Sequence, residues 1–345
     1  MTAFFNPHMI SIARESRGFS QADLADAIGI SKGLMSKIEN NNYPLTAQLM
    51  ASIAKQATYP LEFFYQQGEP LPQHLAYRKR AIVSPKLLSQ ANATINILRL
   101  QLSELTTMLK PKSTALPNIE INPAITPAKA AIKLRRLWNI EQPVIENITC
   151  LLEENGVLIA SLPFPSERID SRTIFTTNNI PVICLNKVLQ GDKQRFSLAF
   201  ELGHLVMHTN TALDAARDIN HEANLFAAEL LMPEEHIMAD FSNGINLATL
   251  AELKKKWKVS MIALLYRADD LGLITPNQKR YLIDQFNHLG LRRHEPPELN
   301  IPPEQPQRTK QLINRYLDKK QLSIPQLAKK LGMHTSEFRQ IHNIQ

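Results

Sequence analysis

Within the stretch Gln194-RFSLAFELGHLVMH-Thr209, Glu201 and His204 stand three residues apart in a segment whose apolar residues recur at helical spacing. On a helix that spacing places both side chains on one face. It is the latter part of an arrangement in which two histidines at i and i+4 face one zinc ion. The glutamate after the first histidine then activates the metal's bound water. The chemistry would be metal-assisted hydrolysis. The first histidine's position, however, holds Phe200, and a phenyl ring cannot coordinate zinc.

The elements that must position these residues read as mixed α/β over residues 129–275. Helices are expected near Ala130 to Trp138 and Val144 to Glu154. Gly156-VLIASLPF and Ile180-PVICLN have the short apolar, β-branched character of strands. Cys150 and Cys184 stand singly in apolar surroundings without CxxC spacing, which predicts buried thiols rather than a disulfide or a cysteine zinc site.

A second kind of chemistry, recognition of DNA, is suggested by Phe19-SQADLADAIGISKGLMSKIEN-Asn41. It reads as two helices joined by a tight turn, with an apolar stripe through Leu24, Ala25, Ile28, Leu34 and Ile38. Ser20 and Ser31 are placed to cap the two helices, and Gly29 to take a positive φ at the turn. The second helix then exposes Lys32, Gly33, Ser36, Lys37 and Asn40, short polar and cationic groups suited to base edges and phosphates. Gln21 would hold a phosphate or support a reader residue. A helix over Thr46 to Lys55 and the Pro60-LEFFY stretch would close a five-helix bundle.

Beyond this reader, Pro85 and Pro111 bracket one long helical candidate. In it Leu88, Ile95, Leu102 and Leu109 recur every seven residues, with Ala91, Leu98 and Leu105 between them. The pattern fits either a short dimerisation seam or packing on the helix's own domain. Near the end, Leu322-SIPQLAKKLGMHTSEFRQI-His342 aligns with the first motif at a constant offset of 303, matching Ser20/Ser323, Leu24/Leu327, Ala25/Ala328, Gly29/Gly332 and Ile38/Ile341. A second helix-turn-helix is expected there as structure, with Thr335, Ser336, Arg339 and Gln340 outward.

The net charge of +7 is unevenly spread. Residues 71–137 carry +9 and residues 276–345 carry +6, whereas residues 138–275 carry −7. The basic excess beside the reader and at the C-terminus suits phosphate neutralisation, although solvated helix faces would look the same. No apolar run approaches the roughly 18 residues a membrane helix needs, and the N-terminal stretch lacks an export pattern, so a cytoplasmic location is expected.

Residues 5–68 resemble the phage-repressor-like, or Xre (Cro-type), helix-turn-helix domains. That resemblance implies that the helix beginning at Ser31 lies in the major groove, usually within a dimer. The segment RFSLAFELGHLVMH, followed by His221-EANLFAAELLMP, resembles the paired signatures of the ImmA/IrrE metallopeptidases, over about Lys129 to Ile274. The resemblance implies a zincin-like fold, Glu201 as general base, His204 as the second histidine ligand and Glu222 as the third protein ligand. It also implies coupling to Xre-type readers and cleavage of repressor or antitoxin proteins. With Phe200 in the first ligand position, hydrolysis is expected to be weak or absent. A shifted site on His204, His208 and a downstream residue such as His221 is the one route left to zinc, and it would misplace Glu201.

The fold expected is mostly α with a small α+β centre. Its parts are a reader at 1–70, a basic helical linker at 71–128, a metallopeptidase-like domain at 129–275 and a helical domain at 276–345. The expected function is transcription regulation as an operator-binding homodimer. The central domain would serve as a sensor or scaffold for a protein or small-molecule effector, with no cofactor unless zinc binds. An active zinc endopeptidase and an antitoxin-like autoregulator are the alternatives.

Overall fold

The computed structural model describes residues 5–68, 71, 78–79, 82–109, 116–209, 217–242, 244–292 and 294–344. Pro111, expected to bound the long helix, lies outside them. The chain runs through α1 (Pro7–Ser16), α2 (Gln21–Ala27), α3 (Lys32–Glu39), α4 (Ala47–Ala57), a 3-10 turn (Leu61–Tyr65), β1 (Arg78–Lys79) and α5 (Pro85–Leu109). Next come α6 (Pro127–Leu137), α7 (Ile148–Glu154), β2 (Leu158–Leu162), β3 (Ile169–Phe175) and β4 (Pro181–Asn186). Then follow α8 (Gly191–Met207), α9 (Ile219–Leu231), α10 (Glu234–Phe241), α11 (Leu247–Trp257), α12 (Met261–Asp270) and α13 (Pro276–His288). The chain closes with α14 (Arg308–Lys320), α15 (Ile324–Lys330) and α16 (Thr335–His342). The protein is thus mostly helical, and no helix of the described residues is long and apolar enough to cross a membrane.

Contact density divides the chain into two compact units, each built from separated stretches. One comprises residues 1–113, 158–187 and 306–345, the other residues 114–157 and 188–305.

In the first unit, local chemistry sets the short helices. Asn6 caps α1 ahead of Pro7, Ser20 and Asp23 form a reciprocal capping box at α2, and Ser31 Oγ accepts the Leu34 N–H at 3.2 Å to start α3. Gly29, at φ 72°, makes the turn between α2 and α3. Arg14 and Glu39 are joined across α1 and α3 by a buried two-point ion pair at 2.6 and 3.0 Å. Met9, Leu24, Ala25, Met35, Ile38, Ile53 and Phe63 fill the space between these helices.

The long helix α5 belongs to this same core. Its seam residues Ala91, Ile95, Leu98, Leu102 and Leu105 are fully buried, and the helix packs on α1 and α14. The apolar seam is therefore covered by its own chain. The sheet has the order β1-β3-β4-β2, with β2 and β4 parallel and the other pairs antiparallel. Leu158, Ala160, Leu162, Val182 and Cys184 join the core formed by α1–α5 and α14–α16. Thr309 Oγ1 donates to the Ile159 carbonyl at 3.2 Å, tying α14 to the edge strand β2. The two-residue strand β1 lies in the stretch expected to be a helical linker.

In the second unit, α8 is buried along nearly its whole length and packs on α9, which in turn packs on α6. Gly203 lets α8 and α9 approach closely, since a Cβ there would lie 3.0 Å from the Phe226 ring and 3.4 Å from Ala223 Cα. The start of α8 is held by the proline-rich segment 295–305. Gly191 N–H donates to the Ile301 carbonyl at 3.1 Å, and the Gln194 amide clasps the Glu304 backbone at 2.7 and 2.8 Å. Buried Lys254 bridges Asp192 of α8 and Glu295 at 2.5 and 2.6 Å. Burial alone would lower the Lys254 pKa, but the bonds from both carboxylates hold it above its ordinary value. Cys150 corrects an expectation: it is exposed, because α7 turns Ile148, Thr149 and Leu152 inward and Cys150 falls on the opposite face.

Candidate functional site

The outer face of α3 stands clear of the core beneath it. Ser31, Lys32, Gly33, Lys37 and Asn40 are exposed and Ser36 is half-buried, whereas Met35, Ile38 and Glu39 face inward. Asn40 Nδ2 donates back to the Ser36 carbonyl at 2.8 Å, closing the helix. Gln21 is half-buried and donates to Glu39 at 2.8 Å. Its amide therefore braces the Arg14–Glu39 pair under α3. Arg14 and Glu39 were not singled out from sequence, since opposite charges 25 residues apart carry no local signal of contact.

Gly33 has no structural reason within the chain. Its φ is not positive, and a Cβ added there would meet nothing within 4 Å. A glycine inside a helix costs about 1 kcal/mol relative to alanine. The space it leaves lies on the exposed face.

In the second unit, α8 and α9 bring together His204, His208 and Glu222, and a fourth residue, Arg217, joins them. His208 is the residue that caps the end of α8, beyond its last helical turn. His204 Nδ1 lies 2.9 Å from His208 Nδ1, and His208 Nε2 lies 2.9 Å from Glu222 Oε2. Arg217 holds both carboxylate oxygens of Glu222, at 2.9 and 2.6 Å. The chain of contacts assigns the tautomers. His208 donates from Nε2 to the carboxylate, so its Nδ1 accepts from His204 Nδ1–H, and both ring nitrogens of His208 are engaged. Burial lowers the His208 pKa and outweighs the opposing pull of Glu222. The Arg217 hydrogen bonds hold Glu222 below the usual carboxylate range against a smaller effect of burial.

Phe200 is buried with its ring edge-on to His204, centroids 4.7 Å apart. Glu201 is buried on the same helix. His221 is exposed at the start of α9, where its backbone N–H is taken by Asp218, and the structure does not bring it to the group.

A divalent ion does not fit this constellation. Both ring nitrogens of His208 and both oxygens of Glu222 are engaged, and the guanidinium of Arg217 already supplies positive charge at the carboxylate. Among the described residues, no group of three or more His, Cys, Asp or Glu could hold a metal. Arg217 is the residue that sequence reasoning missed. It lies in the connection between α8 and α9, outside any periodic element.

These two arrangements correspond to two family models, matched in chain order. Residues 10–64 match the helix-turn-helix family, and residues 152–269 match the family described as the IrrE N-terminal-like domain. The chain therefore combines a helix-turn-helix domain with a domain similar to those of the ImmA/IrrE family, in that order. A search of the curated proteins gives no match.

Proposed function

We propose that the protein is a sequence-specific DNA-binding transcriptional regulator of the cytoplasm. Its zincin-like central domain acts as a sensor or partner-binding scaffold rather than a peptidase. The observation that carries the reading is the capped helix α3, which presents Lys32, Gly33, Ser36, Lys37 and Asn40 outward over a buried core inside a matched helix-turn-helix domain. Lys32 and Lys37 would hold phosphates, and Ser36 and Asn40 would reach base edges.

The reading of the central domain rests on the Arg217–Glu222 pair and on Phe200, which together leave a zinc ion neither a histidine at the first ligand position nor a free Glu222 carboxylate. A cleft of about 680 Å³ lined by Ile132, Arg136, Ile140, Glu141, Glu234 and His236 offers an effector a place. A homodimer on the operator would use a surface other than the α5 seam.

The test is a Ser36→Ala/Lys37→Ala variant of the full chain, measured against a selected duplex and against a scrambled one. Specific binding falls to the level of the scrambled duplex while unfolding stability changes by about 0.5 kcal/mol or less, because Lys37 is exposed and Ser36 only half-buried. Unchanged affinity for the selected duplex would overturn the assignment of α3.

A further inference from the structure

We infer that α16 is a second DNA-reading helix, so that one chain carries two readers fixed in one core; the inference rests on the reading of α3 as the first. The matched helix-turn-helix region ends at residue 64 and leaves residues 323–342 without a role.

The structural devices of the first motif recur in the second at the same offset. At the start of α15 the Ser323 N–H and Oγ donate to Gln326 Oε1 at 2.8 and 3.0 Å, in the place where Ser20 and Asp23 form the capping box of α2. Gly332 takes φ 66° where Gly29 takes 72°. Leu327, Ala328, Phe338 and Ile341 are buried where Leu24, Ala25, Met35 and Ile38 are buried. A packing module would account for that much. Its outer face and its charge account for more.

The second motif docks on the first through its turn and its inward side. Gln66 Nε2 donates to the Leu331 carbonyl at 2.6 Å, and a Cβ on Gly332 would lie 2.4 Å from Phe63 Cα. Glu337, the one acid of α16, is held by Arg17 through both oxygens at 2.7 and 2.9 Å. The carboxylate that would repel phosphate is thereby neutralised on the inward side. Ser336 and Gln340 stay exposed, and Thr335 and Arg339 half-exposed, at the positions of Gly33, Lys37, Lys32 and Ser36. Residues 306–345 hold eight Lys/Arg against two acids, of which Glu337 is one. Arginine and glutamine are side chains that pair bidentately with guanine and adenine edges, and the basic excess of this segment suits phosphates beside them. Because the four outer residues differ from those of α3, the duplex bound by one chain contains two unlike blocks rather than a repeat.

The experiment selects binding sequences for the full chain from a random duplex library and footprints the preferred duplex. It compares the parent with Arg339→Ala/Gln340→Ala and with Ser36→Ala/Lys37→Ala. Circular dichroism checks that each variant melts with the parent, and Gln340→Ala alone replaces the double change if it does not. The expected result is two protected blocks. Arg339→Ala/Gln340→Ala loses protection and base preference at one block, with roughly tenfold or greater loss of affinity. Ser36→Ala/Lys37→Ala loses the other. A single block, bound as tightly by Arg339→Ala/Gln340→Ala as by the parent, would overturn the inference and leave α3 the sole reader. A library that yields no preferred duplex would instead sink the α3 reading, and this inference with it.

Discussion

Arg217 grips Glu222 through both carboxylate oxygens, at 2.9 and 2.6 Å, while His208 donates to the same carboxylate at 2.9 Å. The positive charge that a metal would bring to this carboxylate is already there, as part of the chain. Restoring a histidine at the Phe200 position thus answers only half of the mismatch. We expect the Phe200→His variant to carry little zinc after purification, and Phe200→His combined with Arg217→Ala to approach one zinc per chain by elemental analysis. Near-stoichiometric zinc in the parent would sink the metal-free reading.

Gly33 predicts opposite effects on folding and on binding. Gly33→Ala places a methyl group in open space on a helix, so the variant should be more stable by about 0.5–1 kcal/mol in urea unfolding. Its affinity for the preferred duplex should fall, because the added Cβ enters the space through which the groove wall approaches. Higher stability with unchanged affinity would show that the duplex never comes close to residue 33.

The equivalent glycines of the two motifs should respond differently. Gly29→Ala meets no neighbour and carries only the left-handed backbone penalty, about 1–2 kcal/mol. Gly332→Ala carries the same penalty and also drives a Cβ to 2.4 Å from Phe63 Cα. Chemical denaturation should show Gly332→Ala to be the more damaging by at least a further 1–3 kcal/mol, with equal losses counting against the docking of the two motifs.

His342 gives the first unit an acid sensitivity. It is buried, its Nε2 lies 2.8 Å from Gln101 Oε1, and burial pushes its pKa down to about 3. Its unfolded pKa is about 6.5, so the unfolded chain binds this proton more readily than the folded one. The stability it contributes is complete above about pH 6.5 and is lost as pH falls toward 3. Denaturation midpoints measured between those limits should decline more steeply for the parent than for His342→Gln. Parallel declines would show that another group is responsible.

Much of the helical plan was legible in the sequence, because helix starts and stops are local events. Ser20 and Ser31 cap the helices that begin at the next residue, and Gly29 and Gly332 take the positive φ that their turns require. Strand β3 was not legible. Its stretch IDSRTIF buries Asp170, Ser171 and Arg172 together with Ile169, so the alternation that marks a half-buried strand is absent. The start expected near Val144 for α7 was early by a few residues, because Asn147 caps the helix at Ile148.

The amino-acid sequence by itself determined the two helix-turn-helix motifs, the outward polar residues of α3 and the lack of a first metal ligand at Phe200. Each depends on side-chain type within a helical turn or two. Only the tertiary structure decided where the apolar seam of α5 would be spent, since a heptad stripe is equally satisfied by a partner chain or by α1 and α14. Packing likewise decided that Gln21 braces Glu39, that Glu337 turns to Arg17, and that Arg217 takes the carboxylate of Glu222. A charged side chain on its own element has several possible partners, and burial of its neighbours selects among them. That selection is a property of the assembled core and has no counterpart in residue spacing.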